Sequence, residues 1–570
     1  MTHPILIPAP TGTIHQNDGV MTLPDIIRID RPLIPCASAF SERIARLGDY
    51  CVAPSERLGD ETILWERPTA GDWNDEEYRL RIGQQGIRIV APTGVGAAHA
   101  LTTLIQLVAS GNGELPLADI HDKPRFAWRG LSLDVCRHFF EVDDVKRIIE
   151  QCALLKMNRF HWHLSDDQGY RIESSRFPEL NTIGSWRKLD ACDPLVDDGR
   201  KAGDTYGGYY TREQIRDVVD YAAQRGITVI PELELPGHAT ALLAAHPELS
   251  CSGDPVEVSG RFGVHDRIFC AGNDRTLDFL FALTDEIADL FDTPYIHLGG
   301  DEAPKSEWKR CPACGERMEQ VGANNWDELQ SWFCEQVVEH VKSLGKTAIT
   351  WNEATIGGRL DETALVQYWM EMAPGPSYML PELERGRSVI SSSMNSFYCD
   401  YSYADIPLRG TLMYEPEVKG NPIPESCAHG IEATMWTEWT SDFADVERLL
   451  YPRLLAVAEC GWTERRDPDE FLRRAERFLA EPLVNVLEPM PWDQATIHGD
   501  DALKAIVSNM IQLGRRYASS GGGEAVMPED AAPVDPKIMM RMFMESKMRG
   551  AYTNEDIDKV VDMLSSAMQH

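Results

Sequence analysis

The chain has 570 residues with 55 basic against 90 acidic side chains, a formal net charge of −35 and a pI near 4.8. That balance argues against nucleic acid or an anionic membrane surface as a partner, and no apolar run approaches the roughly eighteen residues that a membrane span requires. A hydrophobic fraction of 43% and a charged fraction of 25% belong to a folded chain, long enough for several domains or one large barrel with additions. The first residues, MTHPILIPAPTGTIHQ, have no basic stretch before a short apolar run that ends at prolines, so a secretory signal is not expected. Thirteen cysteines, an odd number in a long chain, read as reduced thiols, most of them small buried side chains. Together these features give a cytoplasmic expectation.

In chain order, residues 79–90 (RLRIGQQGIRIV) predict a hairpin and residues 94–108 (GVGAAHALTTLIQLV) a helix, so residues 1–122 form a small α+β domain. From residue 123 the pattern becomes strand and amphipathic helix in alternation. Strands are expected at 131–135, 159–164, 227–232, 295–298, 347–351, 364–369, 388–392 and 431–436. Helices are expected at 143–156, about 213–225, about 277–291 and 326–344. Eight β-α units imply a parallel (β/α)8 TIM barrel over residues 123–487. A doubly wound open sheet is the alternative, but no G-x-G-x-x-G follows the first strand. Residues 488–570 read as a helical extension with a Gly/Pro-rich linker at 519–536, then helices at 537–548 and 554–568. Eight of the twenty methionines lie between 527 and 568. Such a Met-rich pair is expected to pack on its own barrel, with a partner subunit or the mouth of the site as alternatives.

Barrel enzymes carry their reactive groups at the C-terminal strand ends. Reading past each strand gives Arg137 and His138; His161, His163, Asp166 and Asp167; Glu232, Glu234 and His238; Asp301 and Glu302; Trp351, Asn352 and Glu353; Trp369; Tyr398 and Asp400; Trp436 and Glu438. Carboxylates, an arginine and three indoles on one rim suit a sugar: C–H faces stack on indoles and hydroxyls take charged hydrogen bonds. Glycoside cleavage needs an acid for the leaving oxygen and a group to stabilise the cationic centre. Asp301 and Glu302 are adjacent, and neighbours on an extended strand point in opposite directions, which favours a mechanism in which the substrate supplies the nucleophile. His161 and His163 alternate along one strand face and read as hydrogen-bonded supports rather than metal ligands. Cys311-x-x-Cys314 is half of a zinc pattern whose second C-x-x-C is missing, so no metal and no cofactor is expected.

Residues 129–140 (RGLSLDVCRHFF), 158–169 (NRFHWHLSDDQG), 231–238 (PELELPGH), 297–303 (HLGGDEA), 351–353 (WNE), 432–438 (EATMWTE) and 452–463 (PRLLAVAECGWT) together resemble glycoside hydrolase family 20, the β-N-acetylhexosaminidases, over roughly residues 75–480. The resemblance implies a barrel behind a small α+β domain. It also implies hydrolysis of terminal non-reducing GlcNAc and GalNAc from oligosaccharides, with retention, through an oxazolinium ion formed by the substrate's own acetamido oxygen. It assigns Glu302 as acid and then base, with a raised pKa, and Asp301 as the ionised carboxylate that orients the acetamido N–H. Tyr398 is implied as the donor to the acetamido oxygen, Trp351, Trp369 and Trp436 as pocket walls, and Arg137, Asp400 and Glu438 as hydroxyl contacts. Asp166 and His238 are implied as the pair that tunes the acid. Glu234 departs from the aspartate of many relatives, and Cys136 and Cys399 beside the site are expected to be buried. Family members are often homodimers. Release of a disaccharide in the manner of a lacto-N-biosidase, or sugar binding without catalysis, are the competing readings.

Overall fold

The computed structural model describes residues 5–520 and 552–567, except residues 13, 58, 112 and 372–375, together with residues 541, 544, 545 and 548. The N-terminal unit is a seven-stranded mixed sheet covered by the helices Ser38–Leu47 and Gly94–Gly111. Its predicted hairpin is present: Tyr78–Gly83 and Gly86–Val90 pair antiparallel with Gly83 opposite Gly86. This unit seats on the N-terminal end of the barrel. The Trp462 indole donates to both oxygens of Asp122 at 3.0 Å, Lys156 Nζ reaches Asp122 at 3.2 Å, and the buried Arg129 pairs with Glu76.

Eight parallel strands close the barrel: β1 (Trp128–Asp134), β2 (Arg159–His163), β3 (Thr228–Glu232), β4 (Tyr295–His297), β5 (Thr347–Trp351), β6 (Leu365–Tyr368), β7 (Val389–Ser391) and β8 (Ala428–Met435). All eight lie within three residues of their predicted ends. The connecting helices are amphipathic as expected: Val142–Leu154 buries Val145, Ile148, Ile149 and Cys152, the 3–4 spacing of one helical face. Inside the barrel, Trp128, Ile230, Ile349, Leu365 and Ile390 form an apolar floor. One layer above, the strand register sets Asp134 level with His163, His163 with Glu232, and Glu232 with His297. The strands therefore deliver a ring of polar side chains at one height, directly beneath the C-terminal mouth.

After the barrel, the helices Arg453–Trp462 and Pro468–Leu479 precede Gly499–Ser520 and Asn554–Ala567. Residues 519 and 520 are the last turn of a helix rather than the start of a linker; residues 521–536 and most of the expected helix at 537–548 lie outside the described residues. The two long helices bury Ile506, Met544, Met548, Val560 and Val561 with Ala404 of the loop that follows β7. Asn509 Nδ2 donates to Ser402 Oγ at 2.8 Å and Asp405 Oδ2 at 3.0 Å, and the Tyr552 hydroxyl to the Ala404 carbonyl at 2.5 Å. Of the Met-rich pair expected to pack on the chain's own barrel, the helix Asn554–Ala567 with Met544 and Met548 lies against this loop, and the rest of the first helix is outside the described residues.

From the opposite side the same loop is held by Arg453, which is fully buried and donates to the carbonyls of Cys399, Tyr401, Ser402 and Ile406 at 2.7–3.0 Å. Lysine keeps the charge but cannot spread donors over four carbonyls. Arg453→Lys is therefore expected to lower stability by about 2–4 kcal/mol in urea unfolding and to speed amide exchange across residues 399–406. An unchanged midpoint would show that the clamp contributes nothing.

Candidate active site

Of the eleven residues to which the family resemblance gives roles, ten are linked by contacts at the mouth of the barrel, and the charge of the eleventh, Asp400, acts on Tyr398. Arg137, just past β1, is buried and donates to Asp134 Oδ2 at 3.2 Å and Gln168 Oε1 at 3.0 Å; its Nη2 lies 2.9 Å from Asp166 Oδ2 and 3.8 Å from Glu438 Oε1. Its guanidinium also stands over the Trp436 ring, 5.2 Å from the centroid. Asp166 passes the connection to His238 Nδ1 at 3.3 Å, which Asp167 also approaches at 3.3 Å. The other ring nitrogen, His238 Nε2, lies 3.8 Å from Asp301 Oδ2 and 3.6 Å from Glu302 Oε2.

Both adjacent carboxylates thus converge on one imidazole, where strand alternation predicts divergence. The reason is local backbone geometry. β4 ends at His297, and Glu302 has left the extended region, with φ +42°. That conformation strains a non-glycine residue. The preceding glycines make the turn possible: Gly299 has φ +61°, and a Cβ there would stand 1.7 Å from Glu234 Oε2.

The three tryptophans and Tyr398 form a continuous aromatic wall. Ring centroids are 6.1 Å apart for Trp351–Trp436 and Tyr398–Trp436, and 6.2 Å for Trp369–Tyr398, the last pair nearly parallel at 22°. Two of the indoles are anchored by carboxylates. The Trp351 indole donates to Glu232 Oε1 at 2.9 Å, and the Trp369 indole donates to both Glu353 oxygens at 3.0 Å. Tyr398 bridges to Thr434 of β8, and the following residue's N–H donates to the Thr434 carbonyl at 2.8 Å. Cys136 and Cys399 are fully buried, as expected.

Under the site lies the polar layer. Glu232 accepts from Trp351 and from His163 Nδ1, and lies 2.7 Å from His297 Nδ1 and 3.0 Å from His161 Nε2. Glu432 pairs with His161 Nδ1 at 2.8 Å and accepts from the Trp128 indole and the Gln367 amide. Burial works against these charges, yet the histidines hold Glu232 well below the usual carboxylate range. In return the carboxylates lift His161 to about 9 and His163 to about 10. Asp166 is likewise kept low, against its burial, by Arg137 and His238.

The groups nearest the reacting position behave oppositely. Burial, opposed by His238 and reinforced by Glu302 and Glu232, pushes Asp301 up to about 7. Burial and Asp301 raise Glu234, and burial and Asp301 raise Glu353. The expectation of an ionised Asp301 therefore gives way, in the ligand-free protein, to a carboxyl that titrates near neutrality. Its Oδ1 is buried with no hydrogen-bond partner among the described residues. Burial and the adjacent Asp400 push the Tyr398 hydroxyl well above its ordinary value, so it remains a donor.

Sequence reasoning noted Glu232 and Glu353 on the rim without giving them roles, and missed Asp134 and Gln168. Asp134 is the last residue of β1, and its position at a strand end was the available signal. Several His and carboxylate groups here are close enough to hold a metal ion, but they stand in charged contact with one another, and the carboxylates hold His161 and His163 protonated. A separate group of four cysteines, Cys251, Cys270, Cys311 and Cys314, lies apart from this network. It completes the half-pattern read at residues 311–314 and is the exception to isolated buried thiols.

An eight-stranded barrel whose mouth joins carboxylates to an aromatic wall is the architecture of a sugar-ring hydrolase. Glycosyl hydrolase family 20, catalytic domain, matches residues 126–465, and domain 2 of the same family matches residues 3–123. The chain belongs to glycosyl hydrolase family 20. It is 38% identical over 472 residues to a β-hexosaminidase of Porphyromonas gingivalis, covering 78% of this chain and 58% of that relative. It is 32% identical to a β-N-acetylhexosaminidase of Cellulomonas fimi, over 70% and 77% of the two chains. Among solved structures, the exo-β-N-acetylglucosaminidase of Vibrio harveyi in complex with N-acetylglucosamine superposes with a TM-score of 0.74 at 30% identity, covering 86% of this chain and 79% of that one. The chain thus spans under two thirds of the Porphyromonas relative and more of the others.

The raised Asp301 pKa has a consequence for stability. In the unfolded chain an aspartate ionises near 3.9. Between that value and about 7 the folded state binds the extra proton, so stability falls as pH rises through this window and levels off above it. Asp301→Asn removes this dependence. The variant is expected to melt higher than the parent at pH 7, with the gap closing toward pH 4. A gap that stays constant with pH, or that widens toward pH 4, in thermal scans would contradict the assignment.

Proposed function

We propose that the protein is an exo-acting β-N-acetylhexosaminidase that removes terminal β-linked N-acetylglucosamine, and N-acetylgalactosamine, from the non-reducing ends of oligosaccharides. The observation that carries this reading is the convergence of Asp301 and Glu302 on His238 beside a wall of three indoles and a phenol. The relatives support it: three β-hexosaminidases and N-acetylhexosaminidases are at least 32% identical to this chain, and the Vibrio harveyi and Streptomyces plicatus enzymes hold N-acetylglucosamine in their structures.

In this mechanism the substrate's acetamido carbonyl oxygen attacks its own anomeric carbon while the Glu302 carboxyl gives its proton to the departing glycosidic oxygen. An oxazolinium ion forms. The Glu302 carboxylate then takes a proton from a water molecule that attacks the same carbon, and the ring opens with net retention. Tyr398 donates to the acetamido oxygen and holds it in line for attack. Trp351, Trp369 and Trp436 enclose the acetamido methyl and exclude water. Asp301 accepts the acetamido N–H on its unpartnered Oδ1, and the positive charge developing on the oxazolinium draws its proton equilibrium toward the carboxylate. A carboxylate disfavoured in the empty pocket and favoured only beside that charge stabilises the transition state more than the ground state. Arg137 grips the O3 and O4 hydroxyls, with Asp400 and Glu438 on the O4 and O6 side, and Asp166 and His238 set the proton affinity of the dyad.

The test compares hydrolysis of aryl β-N-acetylglucosaminide, β-N-acetylgalactosaminide and plain β-glucoside by the parent and by Glu302→Gln. Turnover restricted to the acetamido sugars, with kcat/KM lower by about 100- to 10,000-fold in the variant, is the expected result. Equal turnover of the glucoside would remove the acetamido group from the mechanism, and no turnover of any of the three would move the protein to sugar binding. Tyr398→Phe is expected to reduce kcat by about 100-fold with little change in KM, the signature of a hydrogen bond made in the transition state. A loss confined to KM would place Tyr398 in substrate binding alone.

A further inference from the structure

Two loops at the barrel mouth carry the catalytic dyad and its histidine: the segment after β3, which contains His238, and the segment after β4, which contains Asp301 and Glu302. Farther out, each loop contributes two cysteines to one cluster. Cys251 lies just beyond the short turn Pro247–Leu249, and Cys270 adjoins a two-stranded bridge in which Ser250 pairs with Phe269. Cys311 precedes the helix Pro312–Gln320, and Cys314 sits in its first turn. The sulfurs are 3.7 Å apart for Cys251–Cys314, 3.6 Å for Cys270–Cys314 and 3.9 Å for Cys270–Cys311. All four lie within 4.8 Å of one another.

These spacings have a simple reading. Four thiolates at about 2.3 Å from a tetrahedral zinc ion are separated along each edge by about 3.75 Å. A disulfide would bring two sulfurs to about 2.05 Å and leave the others apart. A multinuclear iron–sulfur cluster would spread its cysteines around several irons. The surroundings also fit a structural metal. Cys270 and Cys314 are buried, Cys251 and Cys311 half-buried, so the site is closed to solvent on most sides. The Gly272 N–H donates toward the sulfurs of Cys270 and Cys314, the outer hydrogen bond that thiolate ligands take. Gly272 is required for space: a Cβ there would stand 2.2 Å from the Ala313 carbonyl carbon, so no larger residue lets the helix bearing Cys314 approach. The frame is anchored by the Trp308 indole, which donates to the Phe269 carbonyl at 2.8 Å, and by the Cys270 N–H, which donates to the Leu249 carbonyl at 2.9 Å.

We propose that Cys251, Cys270, Cys311 and Cys314 bind one structural zinc ion that staples the loop after β3 to the loop after β4. The ion has four protein ligands and no open position, so it takes no part in glycoside cleavage. It fixes the distance between His238 and the Asp301–Glu302 turn from outside the pocket. The site stands independently of the proposed activity, because its ligands are outside the catalytic network and its first readout is metal content.

The test uses the full chain, expressed with zinc in the medium and purified under reducing conditions without chelator. Elemental analysis is expected to give about one zinc per chain, and X-ray absorption a shell of four sulfurs at about 2.3 Å. A mercurial reagent is expected to release that zinc as four thiols react. Cys311→Ser/Cys314→Ser is expected to lose at least about ten-fold in zinc content and to melt lower. If that variant does not fold, the parent's stoichiometry and sulfur shell still decide the matter. Less than about 0.1 metal per chain with no zinc uptake by the reduced protein, iron in place of zinc, or two disulfides among these cysteines would each overturn the proposal.

Discussion

A single ionised carboxylate, Glu232, buried where water cannot reach it, sets the geometry on which the rest of the site depends. It stands at the level where β2, β3 and β4 present His163, Glu232 and His297 side by side, and its two oxygens serve three imidazoles and the Trp351 indole. A buried carboxylate with fewer partners would take up a proton. With these partners it stays charged and in turn keeps His161 and His163 cationic. The network therefore has essentially one arrangement, because moving any member leaves a charge unpaired in a low-dielectric interior. From it, order runs upward in two directions: through Trp351 into the aromatic wall, and through His163 to Asp166, then to Arg137 and His238, and so to Asp301 and Glu302.

The layer above is built on the opposite principle. Asp301, Glu234 and Glu353 crowd together with too little positive charge to hold all of them ionised, and each is raised by burial and by its neighbours. The strained Glu302 backbone adds to this local cost. Such an arrangement weakens the empty protein and becomes favourable when positive charge appears beside Asp301, which is how a site directs its stabilisation to a transition state. A rigid, fully paired lower layer and a frustrated upper layer are complementary. The first prevents the second from relaxing by moving apart.

Much of this was legible in the sequence because a barrel converts position into function. Once eight strands are located, the residues after each strand must share one rim, and Arg137, Asp166, His238, Asp301, Trp351, Trp369, Tyr398 and Trp436 follow without knowledge of tertiary contacts. What stayed hidden depends on angles or long-range pairing. The convergence of Asp301 and Glu302 requires the left-handed conformation at Glu302, which a rule of strand alternation does not anticipate. The neutral-range Asp301 arises from the depth of the pocket and the summed charge of residues on β3, β4 and β5. The cysteine cluster was half visible as Cys311-x-x-Cys314. Its other half, Cys251 and Cys270, is split by a loop within the preceding β-α unit, so only the fold reveals that the four belong together.

The loops, not the strands, determine how precisely this chemistry is held, and each of the three decisive ones is secured from its outer side. The loop after β7, which brings Tyr398 and Asp400, is gripped by the Arg453 guanidinium on one side and by Asn509, Tyr552 and the C-terminal helices on the other. The loops after β3 and β4 meet at the four cysteines, beyond the point where His238 approaches the dyad. Proximity effects fade when reacting atoms drift by about 1 Å, and surface loops are the segments most prone to such drift. Fastening them through groups that never touch substrate lets the pocket itself remain polar, strained and incompletely paired without losing its shape.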